Sequence, residues 1–250
     1  MSQPHVIIAL HCWASAGREY DTLRPLLNGD TLLAPDLAGF GAQAVPEGFD
    51  YSVGAYADWL ADFVRQTGAA EFTLVGHSMS GKMALALAAR QPAGLRGLVL
   101  LSPSPPAGEP MTEAARAASL AAYGKPDEAA KTFRKITRRP LPEAVRAHVI
   151  ADNLHCSQPA WAHWLQEGAR EDITALMPQV QGPCHLLVGA GDEAITADSQ
   201  RRLTLQLLPA GTHFTIVPGA GHLLPLEAPA EVQAALADLF QRAAPKQQEA

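Results

Sequence analysis

The chain has 250 residues, 48% of them hydrophobic and 18% charged, enough apolar material to bury a substantial core. A formal net charge of -6 gives no field that would draw the protein to a polyanion, so nucleic acid is excluded as an expected partner. Cys12, Cys156 and Cys184 are odd in number and widely spaced. They offer neither a disulfide framework nor paired metal-ligand spacing, so each is expected to be a small buried residue in a reducing cytoplasm. No apolar run is long enough to span a membrane, and no membrane association is expected.

Val6-Ile7-Ile8-Ala9-Leu10 is a continuous apolar run of the kind a parallel strand buried on both faces requires. The small residues Ala14-Ser15-Ala16 behind it resemble a leader cleavage site, but no Lys or Arg precedes the run, so a buried strand is the expected reading. Arg18 to Leu27 has helical spacing, with Tyr20, Leu23 and Leu27 on one side. Thr31 to Ala34 reads as a second strand, ended by Pro35 and the loop from Asp36 to Gly41. A helix over Ser52 to Gln66 would turn Tyr56, Trp59, Leu60 and Phe63 inward at three- and four-residue steps. Phe72 to Val75 reads as a strand, Met79 to Arg90 as a helix, and Leu95 to Leu101 as a strand.

The alternation then stops. Pro103, Pro105, Pro106 and Pro110 lead out of the sheet, and Ala107 to Pro183 is Ala-rich and helical in pattern. Strand and helix alternate again from Cys184: strand His185 to Val188, helix Asp198 to Leu208, strand Phe214 to Val217, helix Pro229 to Arg242. Pro245 to Ala250 is a polar tail expected to fray. The pattern predicts an α/β fold with a doubly wound, mainly parallel sheet of about six strands, the first of them central and beside the third.

Gly76-His77-Ser78-Met79-Ser80-Gly81 follows a buried strand and opens a helix. A nucleophilic serine on a sharp strand-to-helix turn needs this context, because the strained backbone tolerates only small neighbours and the helix N-terminus faces the reaction centre. Such a serine needs a base, and the base needs an orienting acid. Asp192, in Gly189-Ala190-Gly191-Asp192, and His222, in Pro218-Gly219-Ala220-Gly221-His222, each follow a strand and emerge at the same sheet edge as Ser78. A hydrogen-bonded chain from Ser78 through His222 to Asp192 is therefore expected, with Asp192 preferred over Glu193 by loop position alone. An oxyanion hole needs two N–H donors. The backbone N–H groups of Met79 and Trp13 are the candidates, and His11 is expected to fix the loop that carries Trp13.

These segments resemble the α/β-hydrolase superfamily over almost the whole chain. Leu10-His11-Cys12-Trp13 is similar to its His-Gly oxyanion motif, Asp36 to Gly41 to its Asp-x-x-Gly-x-Gly loop, Gly76 to Gly81 to its nucleophile elbow, and Pro218 to Glu227 to its histidine segment. Cys12 and Ser80 stand where glycine is usual, which bears on pocket shape. The resemblance implies a hydrolase core over residues 1–106 and 184–250 without the family's N-terminal hairpin, and a helical cap over residues 107–183. It implies a serine hydrolase of the carboxylesterase type, acting on a small-molecule ester or lactone without metal or organic cofactor. A C–C lyase, C–C hydrolase or perhydrolase on the same residues, or a triad-bearing small-molecule receptor, is the alternative.

Other chemistry-bearing residues have plainer readings. Lys82 in the elbow helix is expected at the surface beside a carboxylate. The run Lys131, Arg134, Lys135, Arg138, Arg139 is expected to be a solvated helix face. Trp161, His163 and Trp164 are expected mainly as cap core, and His155, Cys156 and His163 lack metal-ligand spacing. His77 is expected to hydrogen-bond within the fold.

Overall fold

The computed structural model describes residues 5–243, so the tail from Pro245 falls outside the described residues. Six parallel strands form one sheet: β1 Val6–Leu10, β2 Thr31–Leu33, β3 Phe72–His77, β4 Leu95–Leu101, β5 Cys184–Gly189 and β6 His213–Val217, in the order β2-β1-β3-β4-β5-β6. β1 lies beside β3, as expected, but it is second from the edge rather than central. Only β2 is laid down beyond it, and every later strand adds on the far side of β3.

The inner strands β1, β3, β4 and β5 are buried on both faces along most of their length, which is why they read as largely apolar runs, whereas the edge strands β2 and β6 are partly exposed. Ile8, Leu10, Leu74, Leu98, Leu100 and Leu186 face one core, where helices α1 (Val53–Thr67) and α2 (Met79–Ala88) pack. Ile7, Ala9, Val75, Val99, Leu101 and Leu187 alternate with them to face the other core, which the last helix covers with Val232, Leu236 and Leu239. Helix α1 begins at Ser52, whose hydroxyl accepts from the Ala55 N–H, and ends at Gly68 in a left-handed conformation. Its buried residues are Val53, Tyr56, Ala57, Leu60 and Val64, so the inward stripe is rotated from the expected one. Trp59 and Phe63 are only partly buried and stack on each other with ring centroids 5.7 Å apart.

Two expected helices are interrupted. Arg18 to Leu27 forms two 3₁₀ turns, Gly17–Tyr20 and Arg24–Leu26, although Tyr20, Leu23 and Leu27 are buried as the spacing required. Pro25 removes an N–H and would clash with the Asp21 carbonyl in a continuous α-helix.

Between the neighbouring strands β4 and β5 no strand occurs among the described residues. The segment instead carries α3 Glu113–Ala121, α4 Pro126–Ile136, α5 Glu143–His155 and α6 Gln158–His163, the last running into a π-helical turn at Trp164–Gly168. Beyond β5, the expected helix over Asp198 to Leu208 is α7 Ala197–Leu203 followed by a 3₁₀ turn at Leu205–Leu207. After β6, a short α8 Leu224–Glu227 precedes α9 Pro229–Ala243.

Candidate active site

Ser78 sits between β3 and α2 with φ 54° and ψ -117°, a strained region for a residue with a side chain. The Ser78 N–H donates to the Leu101 carbonyl (2.9 Å) and the Ser78 carbonyl accepts from the Ser104 N–H (2.9 Å), so β4 clamps the turn from the side. Close packing explains the glycine that follows: a Cβ on Gly81 would lie 2.6 Å from Pro103 Cβ. Ser80, where a second glycine was the usual residue, points away from the pocket. Its buried hydroxyl donates to the Leu10 carbonyl (2.7 Å) and accepts from the His77 N–H (3.0 Å), tying the turn to β1.

Asp192 and His222 come together at the same sheet edge. His222 Nδ1 lies 2.7 Å from Asp192 Oδ2, and both side chains are buried. The other carboxylate oxygen, Oδ1, accepts from the Ala194 and Ile195 N–H groups at 2.9 and 3.0 Å, fixing the acid from its own loop. Glu193 is exposed and pairs with Arg138 at 2.7 Å, so of the two neighbours it is Asp192 that reaches His222. The expected chain is closed at one link only. Ser78 and His222 line the same cavity, but no hydrogen bond joins them among the described residues.

Burial alone would lower the His222 pKa. The Asp192 charge and hydrogen bond, with Glu109 and Glu19 further off, outweigh it and raise the imidazole above its ordinary value. Burial pushes Asp192 upward, but the His222 ring and the Ile195 N–H hold it below the usual carboxylate value.

Two carboxylates that the sequence reading did not single out as site residues hold the histidine in place. Glu227 Oε2 accepts from the N–H groups of Gly221 (3.0 Å), Arg138 (2.7 Å) and Arg139 (2.8 Å), and Oε1 accepts from Leu223 (3.1 Å). It thus grips the loop on both sides of His222 and pins it to the end of α4, where the His222 N–H donates to Ile136 (2.7 Å). Glu19 is buried beneath the loop after β1. It accepts from Ser15 Oγ (2.8 Å), and its other oxygen lies 2.9 Å from His77 Nδ1. His77 Nε2 in turn reaches the His222 carbonyl at 2.8 Å, an internal hydrogen-bonding role of the kind expected. Glu227 reaches partners 4 to 89 positions away and Glu19 partners 4 to 58 positions away, and no local motif marks Glu19.

The oxyanion candidates lie nearby. Trp13 lines the cavity, and Met79 is the first residue of α2, where a helix leaves its N–H unpaired. Neither backbone N–H donates to another backbone group among the described residues. His11 fixes the loop as expected: its Nε2 accepts from the Leu37 N–H (2.9 Å), and its Nδ1 meets the Cys12 carbonyl (2.7 Å). Burial, first, and Glu19 raise the Cys12 thiol well above its ordinary pKa, which keeps it protonated.

Lys82 is a correction to the surface reading. It is fully buried, and its ammonium donates to the Glu171 carbonyl (2.9 Å) and the Gly168 carbonyl (3.4 Å) at the end of the π-helical turn. Burial lowers its pKa to about 8. The helical segment folds over the elbow helix here, which the position of Lys82 within α2 could not reveal.

The cavity above Ser78 has a volume of about 490 Å³. Trp13, Met111, Phe133, Trp161, Trp164 and Ile195 give it a largely apolar wall. Trp161 and Trp164 are therefore both buried core and cavity wall, whereas His163 does not line it. Metal-capable clusters among the described residues are Cys12–Glu19–His77, already engaged in the network above, and His185–His213–Asp238 at the β5–β6 edge. In the second, the Arg242 guanidinium already sits 2.9 Å from the Asp238 carboxylate. His155, Cys156 and His163 belong to neither cluster.

A six-stranded parallel sheet with serine, histidine and aspartate gathered at its carboxyl edge defines a hydrolase-type α/β protein. Residues 7–235 match the model of the alpha/beta hydrolase family, and the chain belongs to that family. It is 28% identical to a 2-succinyl-6-hydroxy-2,4-cyclohexadiene-1-carboxylate synthase of Enterobacter sp. (strain 638), over 94% of this chain and 91% of that one. It is 26% identical to the lipase LipV of Mycobacterium tuberculosis, over 94% and 93%. An esterase from Exiguobacterium antarcticum shares the fold with a TM-score of 0.85 at 17% identity, with 96% of this chain and 93% of that chain covered. No helix among the described residues is long and apolar enough to cross a membrane.

Proposed function

We propose that the protein is a cytoplasmic serine hydrolase that cleaves a carboxylic ester or lactone through an acyl-enzyme. The 2.7 Å contact between His222 and Asp192, set at the sheet edge beside a strained Ser78 in an apolar cavity, carries this reading. His222 takes the Ser78 proton as the hydroxyl oxygen attacks the carbonyl carbon. Asp192 fixes the tautomer that leaves Nε2 free to accept that proton, and it stabilises the imidazolium formed. The N–H groups of Trp13 and Met79 stabilise the oxyanion, and each such donor contributes about 3 kcal/mol. His222 returns the proton to the leaving alcohol and then activates water for deacylation. Neither step needs a metal or cofactor. Residues 107–183 serve as a cap, since α3 to α6 and the π-helical turn supply much of the cavity wall.

The decisive assay is turnover of p-nitrophenyl esters of graded acyl length by wild type and Ser78→Ala. Activity that survives the substitution would overturn the assignment. The Enterobacter relative supports a second reading, in which the same residues perform C–C lyase chemistry. Absence of ester turnover together with cleavage of a C–C bond by wild type but not by Ser78→Ala would favour it.

A further inference from the structure

Glu109 is a carboxylate that the mechanism does not use. It leaves β4 behind Pro106, its N–H donates to the Ala169 carbonyl (2.8 Å), and its own carbonyl accepts from the Met111 N–H (2.8 Å). The side chain is partly buried and lines the cavity together with Ser78 and His222. Three other charged residues line the same cavity: Glu128, Lys135 and Glu193. Glu128 is paired with Lys131 at 2.6 Å and Glu193 with Arg138 at 2.7 Å. Lys135 and Glu193 are exposed at the rim, where water screens them. Glu109 has no ion-pair partner within 4 Å among the described residues, and no arginine lines the cavity.

We propose that Glu109 sets the charge selectivity of the cavity, so that the enzyme takes acyl groups with uncharged chains and rejects those that carry a carboxylate. The inference rests on the ester-hydrolase reading and narrows its substrate class. An acyl chain bound at Ser78 must run along the aromatic wall past an unpaired negative charge in a poorly hydrated space. A second carboxylate there would meet like charge, and Lys135, the one lysine of the lining, is exposed at the rim where water screens it. Repulsion of this kind is how a site discriminates against a wrong ligand. Burial raises the Glu109 pKa above the ordinary carboxylate value, against the pull of the Ser104 hydroxyl, Lys82, His222 and Arg116, so the selectivity is to be read at a pH well above the carboxylate range.

The test compares p-nitrophenyl hexanoate with p-nitrophenyl hemiadipate, which share a six-carbon chain and differ in a terminal methyl or carboxylate. The readout is the ratio of kcat/KM for the two esters in the full-length chain, measured at about pH 8. Wild type is expected to favour hexanoate, and Glu109→Gln should cut the ratio by about tenfold. Glu109→Ala, which removes the charge by a different route, should shift the ratio in the same direction. A ratio that both variants leave unchanged, while wild type still hydrolyses hexanoate, would overturn this inference and leave the ester reading standing. Preference of wild type for hemiadipate would also overturn it. Failure of wild type to hydrolyse either ester would remove the ester reading and this inference with it.

Discussion

Replacing Lys82 with methionine should stabilise the protein at neutral pH, because the lysine is buried as a cation without a carboxylate partner. Its pKa falls from 10.5 to about 8 on folding. That fall of about 2.5 units corresponds to a penalty of about 3 kcal/mol wherever the amine is charged in both states. Against it stand the bonds to Glu171 (2.9 Å) and Gly168 (3.4 Å), which methionine would leave unmade. Orphaning one good and one long acceptor costs about 1 to 2 kcal/mol. The 5.8 Å approach of the ammonium to the Trp164 ring is near the limit of a cation–π contact and adds little.

The net expectation is a gain of about 1 to 2 kcal/mol at pH 7, in line with the replacement of buried charges by apolar groups. The sign must change with pH. A lysine whose folded pKa is depressed binds fewer protons folded than unfolded between about pH 8 and 10.5, so its penalty is relieved as pH rises through that window. By about pH 10 the penalty has shrunk to about 1 kcal/mol, and the variant should be no more stable than wild type. Urea unfolding of both proteins at the two pH values measures the difference, in which other titrations cancel. Destabilisation by more than about 1 kcal/mol at pH 7 would refute the reasoning, since it would mean that the two carbonyls compensate the ammonium fully.

The site makes further demands. Because only the neutral imidazole accepts the serine proton, activity should rise with pH through the His222 pKa, and the midpoint of that acid limb should lie above 6.5. Glu109→Gln removes a charge that favours the imidazolium, so it should move the limb down; a kcat/KM profile for one neutral ester shows both effects. Asp192→Asn should reduce turnover by about 10⁴-fold through the wrong tautomer while thermal unfolding changes little, and Glu193→Gln should not reproduce the loss. Glu227→Ala orphans four N–H groups around the histidine loop. It should lower stability by about 3 to 5 kcal/mol in denaturant titration, and a loss below about 1 kcal/mol would show that water replaces the carboxylate.

The centre of the sheet was legible because β1, β3, β4 and β5 are buried on both faces along most of their length and so spell largely apolar runs, whereas the edge strands β2 and β6 are partly exposed and read more weakly. The turn at Ser78 was legible for a local reason, since small residues at Gly76, Ser80 and Gly81 mark a backbone that neighbours approach closely. Loop position was enough to choose Asp192 as the acid reaching His222. What remained hidden depends on contacts distant in sequence. Lys82 looked like a surface residue because nothing near it announces that Gly168 and Glu171 fold over its helix. Glu19 and Glu109 carry no motif, since their importance lies in what they face. The break at Pro25 was readable in principle, but the spacing of Tyr20, Leu23 and Leu27 suits two 3₁₀ turns as well as one helix. The place of β1 near the sheet edge follows from the order in which later strands add, which periodicity does not encode.

The central claim is that Ser78 forms a covalent bond to substrate, and mass spectrometry of the trapped protein tests it most directly. Incubation with a fluorophosphonate, or a rapid acid quench during turnover of p-nitrophenyl hexanoate, should add a single phosphonyl or hexanoyl group. After proteolysis that group should map to Ser78, and it should be absent from Ser78→Ala. Adduct on another residue, or ester turnover at wild-type rate by Ser78→Ala, would contradict the account.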